Sequence, residues 1–145
     1  MKKILLSLCL ISGMAIGLIS CDTNTKDISV LPLEAQSIIK DEFKSEVKNI
    51  EIEKKKGVVK DYEVKLQNGV KIEFDSEGKW IQIKAPLDSA VPNTFIPDTV
   101  LNYINSNYTD VKVQKIEKEI YGYELDLSNN MELKFDKNGG IIKVD

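Results

Sequence analysis

Apolar and polar residues alternate along much of this chain, and the period of the alternation changes in a repeated order. Tyr62, Val64 and Leu66 alternate with Glu63, Lys65 and Gln67, and Val70, Ile72 and Phe74 continue the pattern. The same arrangement returns at Tyr123, Leu125 and Leu127, then at Met131, Leu133 and Phe135. A period of two marks a half-buried strand, so each stretch predicts a hairpin with one face in a core. Ahead of each hairpin the spacing is helical: Ala35, Ile39 and Phe43 in one place, Val100, Ile104 and Tyr108 in the other. Each stripe follows an apolar residue and a proline, Leu31-Pro32 and Ile96-Pro97. Proline suits the first helical position, whose N–H has no partner in any case. Glu34 and Asp98 fall in the first turns, where the positive end of the helix dipole favours them.

Register fixes the turns. A two-residue loop would pair Gln67 with Val70 and mix polar and apolar residues on one face, which a half-buried sheet does not tolerate. A three-residue loop pairs Leu66 with Val70, Val64 with Ile72 and Tyr62 with Phe74. Its third residue must be left-handed, and the chain offers Gly69 and Asn130 there. A second reversal is expected at Asp75-Ser76-Glu77-Gly78 and at Asp136-Lys137-Asn138-Gly139. As a four-residue loop it would pair Phe74 with Lys79 and set Ile81 and Ile83, or Ile142 and Val144, on the core face. Less regular strands are expected over Val47 to Glu53 and Val111 to Glu117.

These elements predict an α+β fold of two tandem units, each one helix followed by about four antiparallel strands, with the helices packed on one sheet face. The first unit spans 31–85 and the second 95–145. Residues 86–94, with two prolines and small side chains, read as the linker. About 55 residues is marginal for independent folding, so the units are expected to share a sheet or a common helical face.

The N-terminus adds an address. Met1-Lys2-Lys3 is a basic start, and Ile4 to Ile19 is apolar, as in a secretory signal over 1–20. Leu18-Ile19-Ser20-Cys21 resembles the lipobox of bacterial lipoproteins, in which the cysteine becomes the acylated first residue. Cys21 is therefore the expected lipidation site, followed by a polar tether over 21–30. The expected location is the bacterial cell envelope, lipid-anchored, facing the periplasm or the surface, with the outer membrane the expected host. Contact with the membrane is expected through the lipid alone.

Composition narrows the chemistry. Removing residues 1–20 takes away two lysines and no acid, leaving 18 lysines against 23 acids, a net charge of −5. With that charge and no arginine, a nucleic-acid partner is not expected. Histidine is absent, and the two cysteines are Cys9, in the leader, and Cys21. The folded part thus lacks the groups for a Cys/His zinc site, a disulfide, a cysteine nucleophile or a Ser-His-Asp triad. No cofactor and no catalytic residue is expected. Glu63 with Glu73, and Glu124 with Glu132, are pairs of carboxylates, but they alternate on an open face mixed with lysines rather than lining a cleft. The runs Glu51 to Lys56 and Lys115 to Glu119 read as solvated strand edges, lysine there discouraging sheet-to-sheet association.

The residues that recur also carry a family likeness. The first unit has Leu31-Pro32, Tyr62, Val64, Leu66, Asn68-Gly69, Phe74-Asp75, Gly78 and Trp80; the second has Tyr123, Leu125, Leu127, Asn129, Phe135-Asp136 and Gly139. This pattern resembles the PepSY-like repeat of bacterial envelope proteins, a family similar in fold to beta-lactamase-inhibitor proteins. The second unit departs from it with Asn130 for the turn glycine and Ile141 for the tryptophan. The resemblance implies an envelope binding or inhibitory module that is not an enzyme, and an unidentified envelope or extracellular protein as partner.

Trp80 is the candidate partner-binding residue, because the four-residue loop would point it to the polar side. Alternatively the helix or linker covers it, or a three-residue loop sets it opposite Phe74. Asp75 and Asp136 are weak metal candidates. Their loops hold Asp and Gly at spacings that hint at calcium, but they lack the remaining ligands and closing glutamate of an EF-hand. A small-ligand or calcium-binding envelope module is accordingly the alternative function.

Overall fold

The computed structural model describes residues 19–145, with side chains from Asn24 onward, so most of the leader expected over 1–20 lies outside the described residues. Nine strands are formed: β1 (Ile19–Thr25), β2 (Val47–Lys55), β3 (Val58–Leu66), β4 (Lys71–Asp75), β5 (Trp80–Lys84), β6 (Val113–Lys118), β7 (Gly122–Leu127), β8 (Glu132–Asp136) and β9 (Ile141–Val144). Helical structure is short. Helix α1 (Leu33–Ile38) runs directly into a five-residue π segment, Ile39–Phe43, and α2 covers Asp98–Asn107.

The two-unit α+β architecture expected from the sequence is corrected here. The strands form one antiparallel sheet in sequence order, β1 to β9, without a division. At the expected boundary β5 bonds directly to β6, with Gln82 opposite Glu117, Ile83 opposite Ile116 and Lys84 opposite Lys115. The described residues therefore form a nine-stranded sheet carrying two short α-helices, not a pair of helix-plus-strand units. Free edges at β5 and β6 would each expose a row of unpaired N–H and C=O groups, and pairing removes both at once. The segment between β5 and α2 also belongs to the core: Val91 and Phe95 are buried, and the Val91 N–H donates to the Val113 carbonyl. Strand β1, which the patterning did not predict, adds the outermost rung beside β2.

The first hairpin of each half has the register derived above. Val64 pairs with Ile72 and Tyr62 with Phe74; Leu125 pairs with Leu133 and Tyr123 with Phe135. The left-handed residues are Gly69 at φ 89° and Asn130 at φ 66°. The second reversal differs. A bulge between Glu73 and Phe74 places Trp80, not Lys79, opposite Phe74. A matching bulge sets Ile141 opposite Phe135. The Asp75 carboxylate causes the shift by accepting from the N–H groups of Glu77 and Lys79 (2.9 Å each), which tightens the turn. Ile142 and Val144, expected on the core face, are 55% and 43% exposed, because nothing among the described residues covers the edge strand β9.

Gly78 and Gly139 lie at these turns with φ near +90° and +82°. A Cβ on Gly78 would come within 2.7 Å of Pro32, and one on Gly139 would strike the Thr99 hydroxyl. Each Asp-x-x-Gly turn is thus tucked beneath the start of a helix, which explains why the proline and turn motifs recur together. Ala35, Ile39, Val100 and Ile104 then complete a single core with the inward residues of the strands, among them Phe74, Ile83, Ile116, Leu125 and Phe135.

Candidate functional site

With helices on one face, the other face of the sheet carries the alternate, polar residues, and its strand register arranges them in rows. One row reads, strand by strand from β2, Glu51, Glu63, Glu73, Gln82, Glu117, Glu124, Lys134 and Lys143. The row beside it reads Asn49, Lys65, Lys71, Lys84, Lys115, Asp126 and Glu132. An acidic stripe and a lysine stripe therefore lie side by side across the middle of the sheet. Like charges directly opposite each other destabilise a sheet, so neither stripe helps the fold.

At the flanks the stripes neutralise each other. Lys65 pairs with Glu51 (2.9 Å) and Glu63 (3.2 Å); Lys115 pairs with Glu117 (2.7 Å) and Glu124 (3.6 Å). At the centre they do not: among the described residues, Lys71, Glu73 and Lys84 take part in no ion pair within 4 Å. Burial pushes the Glu73 carboxyl above its ordinary value, and the charges of Asp61, Glu117 and Glu63 push it the same way. Asp61, only 9% exposed, is also raised, by burial and by Glu53 against the opposing pull of Lys60. Burial alone would lower Lys115, but its bond to Glu117 and the surrounding carboxylates outweigh that and raise it.

A second carboxylate group lies towards β8. Glu124, Asp126 and Glu132 bring oxygens within 4.8 Å of one another. The Lys134 ammonium already sits between two of them, 3.0 Å from Glu124 and 3.0 Å from Glu132. Asp126 is left half-buried without an ion pair, and burial raises its pKa. Tyr121 donates to Glu124 at 3.2 Å, and burial together with that carboxylate pushes the phenol up to about 12.

The residues singled out from the sequence are placed as follows. Trp80 lies on the helical side, half-buried. Its ring meets Phe95 edge-on at 5.7 Å, Phe95 stacks on Phe43 at 5.4 Å, and the Lys118 ammonium lies 3.8 Å over the indole. Asp75 and Asp136 are in separate turns, and one oxygen of each is occupied by two backbone N–H groups of its own turn. Cys21 lies in β1 opposite Glu53. Trp80, opposite Phe74 and against Phe95, is thus away from the charged face. That face escaped the sequence reading because its chemistry lies in rows across strands. The polar alternates of the hairpins were visible, but the β5–β6 pairing that aligns them was not.

The comparisons agree with this architecture. The model of the family described as "Putative beta-lactamase-inhibitor-like, PepSY-like" matches twice, over residues 18–72 and 60–143. No curated protein matches the chain. Among solved structures, a "putative periplasmic protein of unknown function" from Bacteroides vulgatus is 39% identical, with a TM-score of 0.79 over 85% of this chain and 98% of that one. A "putative calcium-regulated periplasmic protein" from Bacteroides thetaiotaomicron is 38% identical, with a TM-score of 0.76 over 82% and 93%. A third, from Bacteroides vulgatus and described as a "putative periplasmic protein" of the DUF2874 family, is 34% identical, with a TM-score of 0.74 over 92% and 99%. All three are described as periplasmic, which agrees with an envelope location. The duplicated turn-and-proline motif, the twofold family match and these likenesses over nearly the whole length lead to one conclusion: this chain belongs to the PepSY-like family.

Proposed function

We propose that the protein is a non-catalytic module of the cell envelope, anchored by an acylated Cys21, that binds another protein through the uncovered face of its sheet. One observation carries the reading: at the centre of that face Lys71, Glu73 and Lys84 pair with no oppositely charged group among the described residues, while Lys65 on one side and Lys115 on the other are matched. Charges kept at a cost to the fold and not satisfied within it are available to complementary charges on a partner. The inhibitor-like description of the family supports a binding role of this kind. Trp80 lies outside this face, its ring against Phe95 and Lys118.

The test is photo-crosslinking in the cell from a reactive residue at Gln82, in the central row, and from one at the exposed Asn105 on α2. The expected result is a discrete adduct from Gln82 alone that disappears in Lys71→Glu/Lys84→Glu. Identical products from both sites, or an adduct indifferent to the charge reversal, would refute it.

A second reading, calcium binding, draws on the calcium-regulated relative and on the Glu124, Asp126 and Glu132 group. It requires calcium to displace the Lys134 ammonium. A ligand at 100 times its Kd adds ~2.7 kcal/mol of stability, so an unchanged Tm in excess calcium rejects it.

A further inference from the structure

Strands β1 and β2 bring together two features that the sequence holds more than thirty residues apart. Cys21 pairs with Glu53, the residue immediately before Lys54. Because β1 and β2 are antiparallel, the start of β1 and the β2–β3 hairpin point the same way. That hairpin carries Lys54, Lys55 and Lys56 in succession, and none of them pairs with a described acid. Lys55 pairs with Val58 across a two-residue loop, so Lys56 and Gly57 are the tip, at φ 52° and 79°. Lysine is uncommon at such an angle, where asparagine or glycine is usual. Val58, beside the tip, is 69% exposed. The tip lies about 10 Å beyond the Cys21 position, three residues of strand at ~3.3 Å each.

We propose that this corner is a membrane-docking surface, in which Lys54, Lys55 and Lys56 engage the anionic phospholipid headgroups of the bilayer that holds the Cys21 acyl chains. The inference rests on the lipoprotein reading above and goes beyond it. The lipid alone leaves the domain free to swivel, whereas lipid and lysines together are two attachments that fix which edge faces the membrane. Charge complementarity chooses the occupant. The mature chain is net acidic and repelled by such a surface overall, yet beside its anchor it presents three successive lysines that pair with no described acid. β1 lies against the bilayer, and β9, eight strand spacings of ~4.8 Å away, stands clear of it.

The test uses the protein purified from membranes, reconstituted in vesicles of phosphatidylcholine alone or with phosphatidylglycerol at about one third of the lipid, which gives the surface a negative potential that attracts lysines. The readout is the rate at which an impermeant amine reagent modifies each lysine. With phosphatidylglycerol, Lys54, Lys55 and Lys56 are expected to react at least about tenfold more slowly, within a ceiling of roughly 100-fold for three lysines. Lys143 on β9 is expected to be unchanged, and high salt to abolish the protection. Equal rates in both vesicles, or equal protection of Lys143, would overturn the proposal. Acyl-chain labelling of the same preparation, with Cys21→Ala as control, tests the anchor separately. Labelling without lysine protection removes only this inference, whereas absent labelling removes the anchor and the inference with it.

Discussion

Glu73→Gln should make the protein more stable at neutral pH. Glu73 lies directly opposite Glu63, with Gln82 on its other side and Glu117 next in the row. Among the described residues no lysine forms an ion pair with it, and its carboxyl is held above the ordinary value of 4.5 by burial and by Asp61, Glu117 and Glu63. A carboxyl shifted upwards binds its proton more tightly in the folded chain than in the unfolded one. Its charged form therefore subtracts stability as the pH rises above 4.5, and subtracts none below that. A like-charged cross-strand pair costs about 0.2–1 kcal/mol, which Lys65 partly shields, and burial of the carboxylate adds to that cost, so the substitution should gain about 0.5–1 kcal/mol. For a domain of this size that is a rise in Tm of roughly 2–4 °C. Urea denaturation at pH 7 and pH 4 measures it directly. The gain should be present at pH 7 and largely gone at pH 4, where the native carboxyl is itself protonated. A loss of stability at pH 7, or an equal gain at both values, would refute the account of the acidic stripe.

Trp80→Ala should lower stability by about 2–3 kcal/mol, less than for a fully buried aromatic, because the ring is half-exposed yet holds Phe95 and Lys118. A double-mutant cycle with Phe95 should give a coupling of about 0.5–1.5 kcal/mol, and no coupling would mean that the aromatic contact is inert. Gly139→Ala should cost at least about 2 kcal/mol, since the left-handed backbone and the contact with Thr99 add. Gly57→Ala, where the added methyl meets nothing within 4 Å, should lose only the backbone part; equal losses in denaturation would show that the β8–β9 turn does not dock on α2. Lys56→Gly should stabilise the fold by about 1 kcal/mol by relieving a left-handed lysine, and an unchanged urea midpoint would argue against that strain.

Local geometry was legible in the chain. The period-two stretches placed both hairpins and their register, because a one-residue slip would have turned every apolar side chain to solvent. Gly69 and Asn130 marked the left-handed turn residues for an equally local reason. The absence of histidine and arginine narrowed the chemistry before any coordinates. Tertiary structure decided the rest. Whether the halves stay separate depends on backbone groups at β5 and β6 that have no local signature, and their pairing produced one sheet and aligned the charged stripes. The bulge that turned Trp80 to Phe95 depends on how the Asp75 carboxylate is used within the folded turn. The exposure of β9 depends on what covers an edge. Periodicity reports which face a residue occupies, whereas the neighbour across the strand and the cover above it are set by contacts distant in sequence.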